Sequence, residues 1–366
     1  MKQNKIKILH FIPGFNTGGV VSLFLMWYRN INHQKFDMEL LFWYKDEVPL
    51  KEYKNMGGCF YTLPPLSPTK FQIYIKAVKT FFEQHHDYDI IHSTYEDPIF
   101  FYYANKYGIK NIILHSHSTA YGKDEKYILV KKIFSKISKV YTNHYFACSE
   151  FASQWMFGSK KAIIIPNSIE TEKFKFRNED RIYYRKQFNL DDKLVIGHVG
   201  RFSYAKNHTF LLSIFSEIYK KNHKTVLILV GDGVDRENII TLSKKLNVND
   251  NILFLRSQTD IEKILSAMDI FLLPSHYEGF GIVVIEAQAS GLPCVISDVL
   301  PKDVCITDLI QKVSLSKNAS QWADIVLSTN KNSSRVKYSH ILEKSIFNIN
   351  NSITLLENIY TEIASD

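Results

Sequence analysis

Cysteine and long apolar runs are both scarce in this sequence, and each shortage excludes a class of protein. The chain has four cysteines in 366 residues and no CxxC pair, which argues against a disulfide-stapled scaffold or a zinc ribbon. Buried free thiols in a reducing cytoplasm are therefore expected. No run reaches the roughly eighteen uninterrupted apolar residues that a membrane-spanning helix needs, so none is predicted.

The N-terminal sequence and the net charge further limit the class of protein to which this chain can belong. Residues 1–15 are basic and then apolar, as in a signal peptide, but Lys7 and His10 interrupt the run and no small-residue cleavage site follows. We interpret this segment as a first buried strand of a cytoplasmic protein. The net charge of +8 predicts attraction to an anionic partner, for which nucleic acid, a membrane surface and nucleotide-sugar phosphates all qualify.

Apolar segments that alternate with helical patterns predict an α/β protein with two doubly wound domains, and the chain is long enough to bury two cores. In the first half, strands are expected at 5–12, 38–44, 89–93, 111–118 and 145–149. In the second half they are expected at 194–200, 226–230, 251–255 and 269–274. Near the end, 328–340 is predicted to be a loop and 352–363 a closing helix.

The most informative stretch is PSHYEGFGIVVIEAQASGLPCVIS, residues 274–297. It is predicted to hold a strand end, a glycine-containing turn, a helix that begins near Ile282, and a second strand. A helix N-terminus offers unpaired N–H groups and the positive end of a dipole, which suits a phosphate-bearing ligand. Gly279 and Gly281 would let the backbone approach that ligand closely.

Four charged side chains near strand ends are candidates for ligand binding. Glu278 and Glu286 can accept hydrogen bonds from the paired hydroxyls of a ribose or a hexose. Arg201 and Lys206 follow the strand at 194–200 and could bind a diphosphate, because ligands of open α/β sheets lie at the carboxyl ends of strands. The alternative is that all four are ordinary solvated side chains.

Two glycine-rich turns also follow predicted strands. Gly18 and Gly19 lie between the first strand and an apolar helix, in a turn that lacks the GxGxxG fingerprint of dinucleotide-binding proteins. Gly231 and Gly233, in the GDG turn, would allow close approach of the backbone to a nucleotide. For the first turn, a role in packing alone is the alternative.

Three histidines are expected at the carboxyl ends of strands, where they would point toward a ligand. His92 ends the strand at 89–93, and His115 and His117 end the strand at 111–118. At His117 an imidazole could hydrogen-bond a hydroxyl or stabilise charge, could serve structure only, or could bind a metal, although no third ligand is apparent.

Residues 126–141 predict a basic amphipathic helix. At about 100° per residue, one side is apolar and the other carries lysines. The lysines are Lys131, Lys132, Lys136 and Lys139. Such a helix suits an anionic membrane surface or a lipid phosphate, but it is also compatible with ordinary packing and a solvated lysine face.

Several of these segments together resemble the retaining glycosyltransferase family 4, whose members share the two-domain GT-B fold. Glu278 and Glu286 match the family's E-x7-E signature, Arg201 and Lys206 its GR…K segment, and IPNS at 165–168 its IPNG segment. The resemblance implies domains at 1–170 for the acceptor and 171–345 for the nucleotide sugar, which face each other across a cleft. A last helix at 346–366 would pack back on the first domain.

The resemblance also implies roles for individual residues. His117 would lie near the donor sugar, Glu278 would bind its hydroxyls, and Glu286 would bind the ribose. Arg201 and Lys206 would stabilise the departing diphosphate. The implied donor-binding set is Gly18, Gly19, Gly200, Arg201, Lys206, Gly231, Gly233, Arg256, Glu278, Gly279, Phe280, Gly281, Ile282 and Glu286.

This chain departs from the family's usual residues at two places. Val21 stands where many relatives carry a glutamate, so any role of that glutamate is lost here. Arg256 stands where relatives usually have glycine, in a loop that often touches the base. The contact with the base is therefore in doubt.

By this resemblance the chain is expected to be a retaining glycosyltransferase that moves a hexose or N-acetylhexosamine from a nucleotide-diphospho-sugar to a lipid-linked or polysaccharide acceptor. It resembles enzymes of bacterial exopolysaccharide and capsule assembly. No Asp-x-Asp segment lies between apolar residues, so no metal or other cofactor is predicted. The alternatives are a GT-B nucleotide-sugar epimerase, a non-catalytic nucleotide-sugar sensor, and a nucleic-acid-binding protein.

Overall fold

The computed structural model describes residues 5–16, 18–117, 128–258, 260–278, 280–330 and 334–365. The chain divides into two compact units. The first unit comprises Met1–Ser168 together with Ile349–Asp366, and the second comprises Ile169–Asn348. The sequence predicted boundaries at 170 and 345, and the structure divides at 168 and 348.

Strands and helices alternate through both units. The strands are β1 Ile6–Phe11, β2 Gly14–Phe15, β3 Phe36–Phe42, β4 Tyr44–Lys45, β5 Phe60–Thr62, β6 Ile90–Ser93, β7 Asn111–Ser116, β8 His144–Ala147, β9 Ile163–Ile164, β10 Leu194–Val199, β11 Thr225–Val230, β12 Ile252–Leu255, β13 Ile270–Leu273, β14 Cys294–Ser297 and β15 Ile310–Val313. The α-helices are α1 Gly19–Asn30, α2 Glu47–Asn55, α3 Phe71–Gln84, α4 Pro98–Lys106, α5 Ile128–Tyr141, α6 Glu150–Phe157, α7 Asn178–Gln187, α8 His208–Lys221, α9 Arg236–Lys245, α10 Ile261–Ala267, α11 Ile282–Ala289, α12 Ala319–Ser328, α13 Lys337–Glu343 and α14 Ile349–Ser365.

The first unit is built on a parallel sheet with strand order β5-β3-β1-β6-β7-β8-β9. The chain runs outward from β1 to β3 and β5, and then returns to β6 on the other side of β1. Ile8 therefore pairs with Met38 on one side and with Ile90 on the other. Six of the seven residues of β3 are buried, because both faces of a parallel sheet are normally covered.

Helix α14 belongs to the first unit although it ends the chain. Leu356 and Tyr360 are fully buried in the same apolar cluster as Ile8, Leu40 and Ile90. The last helix therefore completes the core of the first unit.

The second unit is built on a parallel sheet with strand order β12-β11-β10-β13-β14-β15. All six residues of β11 are buried, which explains its uninterrupted apolar sequence, TVLILV. After β12 the chain crosses back to place β13 beside β10. The sheet thus reverses its winding between β10 and β13, and such a reversal opens a crevice at the carboxyl ends of the strands.

Some local predictions need correction. Helix α13 begins at Lys337, inside the segment expected to be a loop, because its buried Tyr338 and Leu342 pack into the second unit. Cys148 and Cys294 are buried free thiols, whereas Cys59 and Cys305 are exposed.

Within the described residues, no helix is long and apolar enough to span a bilayer.

Candidate functional site

Two loops meet at the winding reversal of the second sheet, one after β10 and one after β13. The backbone N–H of His276 donates to the carbonyl of Ala205 at 2.8 Å, and the ring of His276 stacks on Tyr204. The side-chain Nδ2 of Asn207 donates to the carbonyl of Pro274 at 3.0 Å. These contacts hold the two loops at fixed positions relative to each other.

A lysine from one loop and a glutamate from the other form an ion pair at this junction. Lys206 Nζ lies 2.7 Å from Glu278 Oε1, and Ser275 Oγ donates to the same oxygen at 2.7 Å. The two charged side chains are largely buried, with 18% and 9% of their surfaces exposed. The hydroxyl of Ser297 on β14 donates in turn to the backbone carbonyl of Ser275 at 2.8 Å. The carboxylate is thus fixed in place by neighbouring strands.

Glu286 lies half-buried on α11, one turn after the helix begins. Burial raises the pKa of its carboxyl to about 7, whereas Lys173 and Lys206 act electrostatically to lower it. No hydrogen bond joins its carboxylate to any residue in the described part of the chain. Near neutral pH the group is therefore divided between its two protonation states and is available to bind hydroxyl groups.

Helix α11 opens without a side-chain cap. Gly281 occupies the N-cap with a φ of 88°, a left-handed conformation that favours glycine, and Ile282 is the first helical residue. Because no side chain caps this end, the first N–H groups of α11 can receive an anion. Phe280 is buried and stacks on Phe347, which anchors the turn. Gly279 lies outside the described residues.

The glycines of the GDG turn are required by the local packing. Gly231 has a φ of 142°, and a Cβ there would lie 2.1 Å from the carbonyl oxygen of Gly200. At Gly233 a Cβ would lie 2.3 Å from the carbonyl oxygen of Phe202. The sequence assigned these glycines to close approach of a nucleotide. The structure shows a close approach between the loops after β10 and β11. Gly200 also leaves room for Lys206, whose Cε would lie 3.1 Å from a Cβ at that position.

The two arginines predicted to bind the donor differ in their surroundings. Arg201 is exposed just after β10, and it has no ion-pair partner within the described part of the second unit. Arg256 follows β12 and pairs with Asp232 of the GDG turn, with 3.2 Å between Nη1 and Oδ2. The arginine that replaces the family's usual glycine is therefore held against the neighbouring loop.

In the first unit, the predicted glycine turn precedes α1. Gly18 is the N-cap of α1 in an extended conformation, which any residue can adopt. A Cβ at Gly19 would meet no atom within 4 Å. Packing among the described residues therefore gives no reason for glycine at either position.

His117 follows β7 and is half-buried. Burial lowers the pKa of its imidazole to about 4, although Asn167 opposes this shift. The ring is therefore neutral at physiological pH. Its Nδ1 is buried without a hydrogen-bond partner among the described residues, so the ring retains unused hydrogen-bonding capacity.

The other two strand-end histidines are core residues, which corrects the prediction that they point toward a ligand. His92 Nδ1 lies 2.6 Å from the hydroxyl of Tyr360, and its Nε2 lies 2.9 Å from Nδ1 of His115. His115 and His117 are in ring contact with centroids 3.9 Å apart, and His10 stacks on His92. Helix α14 therefore satisfies polar groups that the strands bury, and the pKa values of His92 and His115 are lowered by burial.

The structure brings together most of the donor-binding residues that were predicted in the second unit, on consecutive loops at one edge of the sheet. Sequence reasoning missed Ser275, Asn207 and Lys173, which position or influence the charged groups. Asn207 adopts a left-handed conformation with φ 55°, which an asparagine after Lys206 could have suggested. No group of three or more potential metal ligands occurs within the described ranges.

Solved structures define the class to which this architecture belongs. HepE of Anabaena, solved in complex with UDP and glucose, has a TM-score of 0.80 at 15% identity and covers 97% of this chain and 99% of its own. WaaG, a glycosyltransferase involved in lipopolysaccharide biosynthesis, has a TM-score of 0.74 at 15% identity, with the same coverage. At these identities the likeness shows the fold alone. The predicted GT-B fold is confirmed.

Sequence comparison then identifies related proteins. Residues 180–343 match the family described as glycosyl transferases group 1. EpsF of Bacillus subtilis, a protein named as a glycosyltransferase, is 27% identical over 338 residues, which cover 89% of this chain and 88% of that protein. The UDP-Gal:α-D-GlcNAc-diphosphoundecaprenol α-1,3-galactosyltransferase of Escherichia coli is 24% identical over 318 residues, 81% of this chain and 80% of that enzyme. The match to glycosyl transferases group 1 lies within the second unit, and together with these relatives it indicates that the chain is a glycosyltransferase.

Proposed function

We propose that the chain transfers a hexose or N-acetylhexosamine from a UDP-linked sugar to a lipid-linked or polysaccharide acceptor in exopolysaccharide or capsule assembly. The observation that carries this proposal is the arrangement of Lys206, Glu278 and Glu286 beside the uncapped N-terminus of α11. UDP as the nucleotide is supported by HepE, which was solved with UDP and glucose. A lipid-linked acceptor is supported by the galactosyltransferase whose name specifies a diphosphoundecaprenol substrate.

The two glutamates would recognise the two sugars of the donor. Glu286, which has no hydrogen bond within the described structure, would accept hydrogen bonds from the ribose hydroxyls. Glu278 would bind hydroxyls of the transferred sugar, and the backbone N–H groups of Phe280 and Gly281 would face sugar and phosphate. A hydrogen bond to a charged group contributes roughly 1.5–3 kcal/mol, so loss of either glutamate should weaken donor use by one to two decades.

The basic side chains would stabilise the leaving group. Negative charge on the UDP diphosphate grows as the bond to the anomeric carbon breaks, so a cation that is already in place lowers the barrier. Lys206 is held beside Glu278, and Arg201 offers a planar fork that can bind two phosphate oxygens. Because two positive side chains are available there, we propose that no divalent metal is required.

We further propose that the reaction retains the anomeric configuration. The acceptor hydroxyl would attack on the face from which UDP departs, and a phosphate oxygen of UDP would accept the hydroxyl proton. The Glu278 oxygen that receives both Lys206 and Ser275 is engaged in hydrogen bonds, which supports a binding role over nucleophilic attack.

The first unit would bind the acceptor and contribute His117. Because burial lowers the pKa of this imidazole to about 4, the ring is neutral and acts through hydrogen bonds. It would bind a hydroxyl of the transferred sugar while the glycosidic bond breaks. Gly18 and Gly19 would leave space for donor phosphates or acceptor near the start of α1.

A donor panel tests the proposal. Nucleotide sugars are incubated with the protein in a chelator, with and without a lipid-linked acceptor extract, and released nucleotide diphosphate is measured for wild type and Glu286→Ala. We expect release from a UDP-sugar, stimulation by the extract, and loss in the variant. The anomeric configuration of the product, measured by NMR, tests retention. Three results would each contradict part of the proposal. They are nucleotide release that depends on added Mg²⁺, epimerisation of the donor without transfer, and binding of the donor without turnover.

A further inference from the structure

Helix α5 presents its apolar side to solvent. Leu129 and Val140 are each 76% exposed, and Ile133 and Ile137 between them are 56% and 43% exposed. These residues recur at helical spacing along one side of the helix. An apolar helix side normally packs against the core, so this exposed side requires a different explanation.

The opposite, polar side of α5 packs against the protein. Ser138 is fully buried, and Ser135 donates a hydrogen bond to the carboxylate of Glu96. Lys139 Nζ donates to the backbone carbonyl of Met156 and lies 4.0 Å from Glu96 Oε1. These polar contacts fix the rotation of the helix and thereby keep its apolar side outward.

Because of this orientation, the four lysines that were predicted to face an anionic surface lie in two different environments. Lys131 and Lys139 are half-buried and interact with Glu96, which corrects the prediction that all four face outward. Lys132 and Lys136 are exposed beside the apolar residues. No acidic residue occurs between 128 and 141, so the outward surface of α5 is apolar and positively charged.

We propose that this surface of α5, formed by Leu129, Lys132, Ile133, Lys136 and Val140, docks on an anionic lipid bilayer. The apolar side chains would enter the boundary between headgroups and acyl chains, while the two lysine ammonium groups would remain among the lipid phosphates. Negative lipid charge attracts basic side chains near the surface. This docking is a further binding activity of the first unit, and it does not depend on which donor the second unit uses.

Tyr102 and Lys106 of α4 add an aromatic ring and a positive charge near the end of α5. The ring of Tyr102 is exposed and contacts Tyr141 at the end of α5, and the ammonium of Lys106 lies 6.0 Å from the centre of the Tyr102 ring. Tyrosine beside lysine is typical of the zone where water meets lipid.

Charge favours a bilayer over a second copy of this chain. A symmetric pairing of two α5 helices would bring Lys132 and Lys136 of each copy toward one another, and neither helix carries an acidic residue to neutralise them. Like charges at an interface oppose association. An anionic bilayer supplies both the opposite charge and an apolar interior.

Vesicle binding by the full-length protein tests this proposal. Sedimentation is measured with vesicles of phosphatidylcholine alone and with vesicles that also contain phosphatidylglycerol. We expect binding to the anionic vesicles, at least about tenfold weaker binding for Lys132→Glu/Lys136→Glu, and a comparable loss for Leu129→Ser/Ile133→Ser. The matched control is Ile182→Ser/Lys186→Glu on the exposed side of α7 in the second unit, which should bind as wild type does.

Two outcomes would overturn the proposal. The first is that wild type fails to prefer anionic vesicles. The second is that the α5 variants bind as tightly as wild type while circular dichroism shows that they are folded. If the α5 substitutions changed the oligomeric state in size-exclusion chromatography and left vesicle binding unchanged, the surface would be a protein interface. The donor assay with a soluble acceptor separates this result from any failure of the proposed transfer.

Discussion

At the scale of single residues, the buried carboxyl of Glu286 lowers the stability of the protein and can also bind a ligand. Burial raises the pKa of its carboxyl to about 7, so the folded protein holds this proton at pH values where an unfolded chain has released it. Folding is then progressively disfavoured as the pH rises from the ordinary glutamate pKa to about 7. A ligand that donates hydrogen bonds to the carboxylate would offset this cost.

Replacement of the carboxyl by an amide should therefore stabilise the protein while it weakens donor binding. At a pH above about 7, Glu286→Gln should raise the unfolding free energy by up to about 3 kcal/mol, with little effect near pH 5. Its affinity for the donor should fall by one to two decades. Urea titrations at the two pH values and calorimetry with the donor measure both effects. A variant that is less stable at high pH would contradict this account of Glu286.

Two glycines allow a packing requirement to be separated from a ligand requirement. A Cβ at Gly231 would lie 2.1 Å from the carbonyl oxygen of Gly200, whereas a Cβ at Gly19 would meet nothing within 4 Å. Gly231→Ala should destabilise the second unit by about 3 kcal/mol or more. Gly19→Ala should leave the stability within about 0.5 kcal/mol of wild type. Denaturant unfolding compares them, and reduced turnover of a fully stable Gly19→Ala protein would indicate that a ligand uses this space.

At the scale of elements, the loops after β10 and β13 act together because side-chain contacts join them. Asn207 stands next to Lys206, adopts a φ of 55° and donates to the carbonyl of Pro274. It therefore fixes the end of one loop to the start of the loop that carries Glu278. The catalytic proposal requires the ammonium of Lys206 to be in place before the donor arrives.

Two substitutions at Asn207 separate the hydrogen bond from the backbone conformation. Asn207→Gly tolerates the left-handed conformation and loses only the hydrogen bond, at about 1 kcal/mol. Asn207→Ala should cost about 1–2 kcal/mol more, because alanine is strained in that conformation. We expect both variants to reduce kcat/KM about tenfold, since each removes one of the contacts that join the loops and position Lys206. Unchanged kcat/KM in Asn207→Gly would show that the hydrogen bond does not position Lys206.

At the scale of the whole molecule, both units bury neutral histidines. In the first unit burial lowers the pKa of His10 to about 3 and that of His117 to about 4. In the second unit burial lowers the pKa of His208 to about 4. These side chains stay neutral in the folded protein at pH values where the unfolded chain protonates them. Their contribution to stability is present above about pH 6.5 and is lost as the pH falls toward the folded values.

The unfolding free energy should therefore decrease when the pH is lowered from about 7 to about 5, with net proton uptake on unfolding. Each such histidine can contribute a loss of up to about 2 kcal/mol at pH 5. The carboxyl of Glu286 has the opposite effect, because it stabilises the protein as the pH falls over the same range. The Glu286→Gln variant lacks this contribution, so its unfolding free energy should decrease more steeply as the pH falls. Urea midpoints measured across this range check the sign. Stability that rises as the pH falls would contradict the assignment of neutral buried histidines.

The sequence predicted the strands and helices better than it predicted the contacts between them. The strands at 194–200 and 269–274 and the helix that begins near Ile282 could be identified because apolar periodicity and glycine turns are local signals. The Lys206–Glu278 ion pair joins residues that are 72 positions apart, and no local pattern specifies it. The outward apolar side of α5 depends on Glu96 and Met156, which are distant in sequence, so amphipathicity alone could not give its direction.

We propose that the second unit binds UDP and that the first unit contributes His117 to the transfer. Calorimetric titration of UDP into the full-length protein tests this most directly. We expect wild type to bind UDP without added metal, and we expect Glu286→Ala and Lys206→Ala each to weaken binding at least about tenfold. We expect His117→Ala to bind UDP as wild type does and yet to lose transfer. Binding that survives in both second-unit variants, or disappears only in His117→Ala, would contradict this proposal.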